Sequence, residues 1–203
     1  MKKPNKNIKD LVNLWSEADK LKKVIRFKDS PKITKKESGA DHAWRTTFFI
    51  ATCFRTIRPK INLTKVLRMA SLHNFYEIYT DNLDYILASQ NNITKKDRQK
   101  AKTKAVKKIQ NILPDKEAVN LIKEFEKNET EEAKFVLAIS KLETLDHLVN
   151  YGFKGYSHPE LIPNCADNAV KASPKLSPIL KEIKSRLKKE FKKGGIPWKK
   201  EYN

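Results

Sequence analysis

The stretch MASLHNFYEIYTDNL, Met69 to Leu83, places His73 beside Asn74, with Glu77 one turn on and then Asp81 and Asn82. At helical spacing His73, Asn74 and Glu77 fall on one face. An imidazole and acids gathered on one face are the donors of a metal site. Asn74 is out of pattern, because such a site wants a carboxylate there. Two further segments set polar groups in helical surroundings. His42 follows Asp41 at the expected start of one helix, and Ser140 lies inside another.

The elements that must position these residues read as helices. Glycines number five and strand-like alternation is scarce. Ile8, Leu11, Val12, Trp15 and Leu21 fall near one stripe of an opening helix. KDSPKITKKESG is a loop broken by Pro31 and Gly39. DHAWRTTFFIATCFRTI resumes as a buried helix, with Trp44 and the TTFFIATCF run in the core, and Pro59 closes it. Asn62 or Thr64 caps the next helix, over about 63–77. After a loop over 81–94, Thr94 caps a strongly basic helix, and Pro114 and Asp115 open another. Thr130 caps a long helix followed by Gly152. SHPEL reads as a cap and a helix start. A last amphipathic helix, about 176–192, ends at Gly194–Gly195. The tail IPWKKEYN is either disordered or anchored by Trp198. His147 and His158 read as surface or loop residues.

The 203 residues suit one all-α domain, a helical core over 1–170 with a basic C-terminal helix and tail over 171–203. Cys53 and Cys165 have no metal-like spacing and read as free thiols of a reducing compartment, one disulfide being the alternative. The longest apolar run, Phe48 to Phe54, is too short to span a bilayer. The opening MKKPNKNIKD has no apolar signal core. The expectation is a soluble intracellular protein, of the cytoplasm or an organelle matrix, with no membrane association.

Net charge is +19 and unevenly placed. Residues 1–36, 95–108 and 171–200 carry +8, +7 and +9, whereas 109–170 holds 11 acidic groups against 6 basic. A phosphate-rich partner such as RNA is one reading. A solvated lysine surface is the other, since lysine outnumbers arginine 36 to 7 and arginine is the better phosphate fork.

The segments ESGADHAWR, LRMASLHNFYEIYTDNL and ETEEAKFVLAISKLETLDHLVNY together resemble the HD-domain phosphohydrolases, and within them the small 5'-deoxynucleotidases, or HD domain-containing protein 2-like branch. The resemblance runs from about Leu11 to Tyr151 and includes LKKVIR and ILPDKEAVNLIKEFEKNETEEAKFV. It implies an HD-domain helical bundle and a homodimer. It also implies a divalent metal held by two histidines and two aspartates. These positions fall on His42, His73, Asn74 and Ser140, so both aspartates are replaced. The glutamate that assists the attacking water falls on Glu77. The next acid falls on Asn82, beside Asp81. The arginine that meets the substrate phosphate falls on Arg26.

Two carboxylates would cancel the charge of Mn, Co or Zn, whereas an amide and a hydroxyl cannot. His42 and His73 alone should hold such an ion weakly, and a water without a metal is not ionised near neutral pH. Glu143, three residues after Ser140 on the same face, starts about 5 Å from a rescuing position. Asn74 and Ser140 are expected to bond one another, or His42, in a polar network.

Three functions compete. The favoured one is a pseudoenzyme that binds a nucleotide or a partner, with impaired or lost phosphohydrolase activity and no metal or a weakly bound one. The second is an active metal-dependent phosphohydrolase acting on deoxynucleoside monophosphates. The third is a basic scaffold component of a nucleoprotein assembly.

Overall fold

The computed structural model describes residues 6–28, 30–80, 94–113 and 115–203; Asp81 and Asn82 lie outside them. The described residues form one all-α domain with a single two-stranded ribbon. No helix among them is long and apolar enough to cross a membrane.

The opening helix α1 (Lys6–Ala18) runs into a 3-10 turn, Asp19–Lys23. Of the apolar stripe, Ile8, Leu11, Val12 and Trp15 are exposed, and only Leu21, in the turn, is buried. Strands β1 (Ile25–Arg26) and β2 (Glu37–Ser38) pair antiparallel, with Arg26 directly opposite Glu37. Helix α2 (Gly39–Ile57) starts from a capping box. Ser38 Oγ accepts from the Asp41 N–H, and Asp41 returns the bond to the Ser38 N–H. Arg58, at φ 48°, turns the chain out of the helix before Pro59.

Helix α2 buries His42, Ala43, Thr46 and Ile50. Residues two positions off that face point away, which corrects the placement of Trp44 in the core. Trp44 is 66% exposed and stacks on Phe48, itself 50% exposed, with ring centroids 5.5 Å apart.

Helix α3 (Leu63–Leu72) is capped by Asn62, not Thr64. It is shorter than the 63–77 span predicted. His73 ends it, Asn74 leaves helical backbone at φ −110° and ψ 9°, and a 3-10 turn over Phe75–Tyr79 follows. Thr94 and Asp97 form the capping box of α4 (Lys95–Ile112), and Asp115 caps α5 (Lys116–Lys127).

Helix α6 (Glu131–Tyr151), capped by Thr130, is the axis of the domain. It packs against α2, α3, α5, α7 (Asp167–Lys171) and α8 (Ser177–Lys193). Val136, Ala138, Leu142 and Leu145 are fully buried on it. A helix covered on most sides carries its polar residues inward too, and Ser140 and Glu143 are buried. SHPEL is a single 3-10 turn, Pro159–Leu161, with no side-chain cap from His158. The tail is anchored: Trp198 packs edge-on against Phe191 and Tyr202, and Tyr202 is buried.

Candidate functional site

His42 from α2, His73 from the end of α3 and Ser140 from α6 meet at one buried point. His73 Nδ1 lies 2.7 Å from the Ala70 carbonyl. A carbonyl only accepts, so Nδ1 carries the proton and Nε2 presents a lone pair. That Nε2 stands 3.2 Å from His42 Nε2. The Ser140 hydroxyl lies 3.0 Å from His42 Nε2 and 3.4 Å from His73 Nε2. Asn74 does not join them as expected. Its Nδ2 donates to the Gly39 carbonyl at 2.7 Å, and its Oδ1 is buried without a hydrogen-bond partner.

The other nitrogen of His42 meets a second cluster. Nδ1 contacts Glu143 Oε2, on the next turn of α6 after Ser140. Glu143, fully buried, has Arg45 Nη1 2.9 Å from Oε1 and Arg26 Nη1 3.6 Å from Oε2. Glu37 pairs with Arg26 across the ribbon, and Arg45 Nη1 stands 3.6 Å from it. Two carboxylates thus share two guanidinium groups. Burial, then the nearby Glu37, raises the Glu143 carboxyl above its ordinary value, while Arg26 and Arg45 oppose the rise. His147 is not a loose surface residue. It sits on α6, 2.9 Å from Arg45 Nη1, and its ring stacks on Phe27.

A cleft of about 870 Å³ opens beside the histidines. Arg26, His42, His73, Glu77, Ser140 and Lys141 contribute to its wall. Arg26 Nη2 donates to Thr144 Oγ1 at 2.9 Å, one turn beyond Ser140. Desolvation lifts the Glu77 carboxyl to about 7, with Arg26 and Lys102 pulling against it. His158 also borders the cleft.

The donor set fits a resident metal poorly. At the meeting of His42 and His73 stand two imidazoles, a hydroxyl and a neighbouring amide, all uncharged. Burial lowers His73 to about 4 and His42 well below its usual value, and Arg26 and Lys141 add to both shifts. A field that opposes a proton there also opposes a divalent ion. Glu37, His42 and Glu143 do bring three donor atoms within 4.8 Å of one another. That cluster lies on the Nδ1 side, where Arg26 and Arg45 already supply the positive charge. Glu143 therefore does not take the rescuing position that its spacing from Ser140 allowed.

An HD domain model matches residues 18–184. The chain belongs to the HD domain family. The HD-domain chain is 28% identical over 116 residues to a 5'-deoxynucleotidase (HDDC2) of Mus musculus, covering 56% of this chain and 55% of that protein. It is 28% identical over 142 residues to the 5'-deoxynucleotidase hdd1 of Schizosaccharomyces pombe, covering 63% of this chain and 68% of that one. The chain thus spans little more than half the length of the mouse relative. A predicted metal-dependent phosphohydrolase from Magnetospirillum magnetotacticum superposes with a TM-score of 0.75 at 18% identity, over 96% of this chain and 100% of that one. That likeness shows the fold alone. A conserved hypothetical protein from Pyrococcus furiosus superposes at 0.69 with 27% identity, over 86% of this HD-domain chain and 99% of its own.

Sequence reasoning assigned no role to Glu37, Arg45, Lys141 or Thr144. Glu37 and Arg45 are the first and last residues of ESGADHAWR, so the signal lay in a quoted motif.

Proposed function

We propose that this HD-domain protein binds a deoxynucleoside 5'-monophosphate in the cleft beside Ser140 and has lost most of its family's metal-assisted hydrolysis. The observation that carries the reading is the Ser140 hydroxyl, bonded to the two imidazole nitrogens that the family turns toward a metal. Arg26 grips the phosphate, aided by Lys141, and Glu77 holds a proton at the cleft wall. Calorimetric titration with deoxyadenosine 5'-monophosphate in a chelator tests it. Binding is expected, and Arg26→Ala should weaken it about 10- to 100-fold, the worth of one charge-assisted hydrogen bond. No binding to the wild type would overturn the reading.

A metal-dependent reading draws on two observations: the convergence of the Nε2 atoms and the unpartnered Asn74 Oδ1. In it His42, His73 and Asn74 hold Mn, Co or Zn loosely. Pairing of two copies would cover the exposed stack of Trp44 on Phe48. Exposed lysines along α4 and α8 support contact with RNA, which would weaken steeply with salt.

A further inference from the structure

Ser140, His42 and Glu143 stand in a line. The serine Oγ is 3.0 Å from His42 Nε2, and His42 Nδ1 meets the Glu143 carboxylate. Nucleophile, base and orienting acid in that order is the arrangement that activates a serine in unrelated hydrolases. Ser140 is only 7% exposed, but its side chain borders the cleft rather than closed core. We propose that Ser140 is a nucleophile, activated by His42 and Glu143, that takes a phosphoryl group from a phosphate monoester without a metal.

The proton positions allow it. Glu143, whose carboxyl burial raises to about 8, accepts Nδ1–H of His42 in its ionised form, and that leaves Nε2 as an acceptor. The lone pair of His73 Nε2 faces the same point, so in that form the serine hydroxyl donates between two acceptors. Its hydrogen is drawn toward both rings, and the oxygen lone pairs turn to the cleft. The chemical consequence follows from which atoms meet. Oγ forms a bond to phosphorus while the bond from phosphorus to the ester oxygen breaks. The Oγ proton passes to His42 Nε2, and the departing alcohol takes a proton from Glu77. Water then attacks the phosphoserine, giving a proton to Glu77, while the bond from Oγ to phosphorus breaks. Oγ takes back the proton held by His42, which releases inorganic phosphate and restores the hydroxyl.

Charge in the cleft suits this transfer. Arg26 is fixed by Glu37 and Thr144, beside the α6 turn that carries Ser140, and Lys141 follows Ser140 directly. Phosphoryl transfer rests on positioned cations around the moving group more than on any other protein feature. Burial, with these cations adding to it, makes His42 a weak base, so turnover should be slow.

The inference rests on phosphate binding in the cleft, and the experiment separates the two. Wild type and Ser140→Ala are incubated with deoxyadenosine 5'-monophosphate in a chelator, quenched in acid and mapped by mass spectrometry. Binding is followed in parallel by calorimetry. The expected result is phosphoserine at residue 140, or phosphate release that Ser140→Ala abolishes while binding persists. His42→Gln should slow the step at least about 10²-fold, the usual share of a general base. Nucleotide bound without either product overturns the nucleophile and leaves the binding reading standing. If the nucleotide does not bind, diisopropyl fluorophosphate replaces it, since it needs only an activated serine. A Ser140 adduct that His42→Gln suppresses then supports the nucleophile, and an unmodified Ser140 overturns it.

Discussion

Ser140 Oγ lies 3.0 Å from His42 Nε2, with His73 Nε2 a further neighbour at 3.4 Å. On the proposed reading, this neutral hydroxyl takes the place of an aspartate that would face a metal. Restoring both acids should reverse this. Asn74→Asp with Ser140→Asp supplies two negative charges next to two imidazoles whose lone pairs already converge. The double variant should bind Mn, Co or Zn with about one ion per chain, read by isothermal titration. A double variant that folds and still takes up no metal would mean that the surrounding cations, not the missing acids, decide the outcome.

How far the site was legible in sequence follows from such positions. His42, His73 and Arg26 stand out in the sequence because the resemblance names them, and all three line one cleft. The caps at Thr94 and Thr130, and Asn62 as one of two candidates, were legible because a single local side chain satisfies each helix start. What the sequence hid was the partner of each polar group. Asn74 pairs with the Gly39 carbonyl, 35 positions away, and Glu143 with His42, 101 positions away. The break after Leu72 was equally hidden. His73 Nδ1 folds back to the Ala70 carbonyl at that break, a pairing that apolar spacing does not encode. Trp44 was misplaced because hydrophobicity alone does not tell which side of α2 meets α6.

The paired guanidinium groups should hold the domain together. Arg45 spans Glu37, Glu143 and Asp146. Arg45→Ala leaves two buried carboxylates with Arg26 alone. Denaturant unfolding should show a loss of about 3 kcal/mol or more, as for other broken buried pairs. Arg68→Ala, which removes exposed pairs with Asp115 and Glu117, should cost under about 1 kcal/mol. Equal losses would mean that the buried network adds nothing special.

Glu77 should give nucleotide binding a pH dependence. Its carboxyl is raised from the usual 4.5 to about 7, chiefly by desolvation. Below 7 the group is neutral and a phosphate dianion meets no local repulsion. Above 7 it ionises and affinity falls, by up to about tenfold per pH unit if only the protonated form binds. The phosphate itself loses charge below about pH 6, so the comparison belongs between 6.5 and 8. Glu77→Gln should flatten the profile across that window. An unchanged slope in the variant would place the titrating group elsewhere.

The aromatic stack on α2 should govern association. Trp44→Glu removes the larger half of an exposed apolar pair. If a second copy covers that pair, sedimentation should report dimers for the wild type and monomers for the variant, with helical content unchanged. Dimers in both would put the interface on another face.

Metal content of the purified chain is the most direct measurement of all. Protein dialysed without chelator and analysed by inductively coupled plasma mass spectrometry should carry well under one divalent ion per chain. Added Mn, Co or Zn should wash out again. One tightly retained ion per chain would contradict the view that Asn74 and Ser140 have turned this metal site into a hydrogen-bonded one.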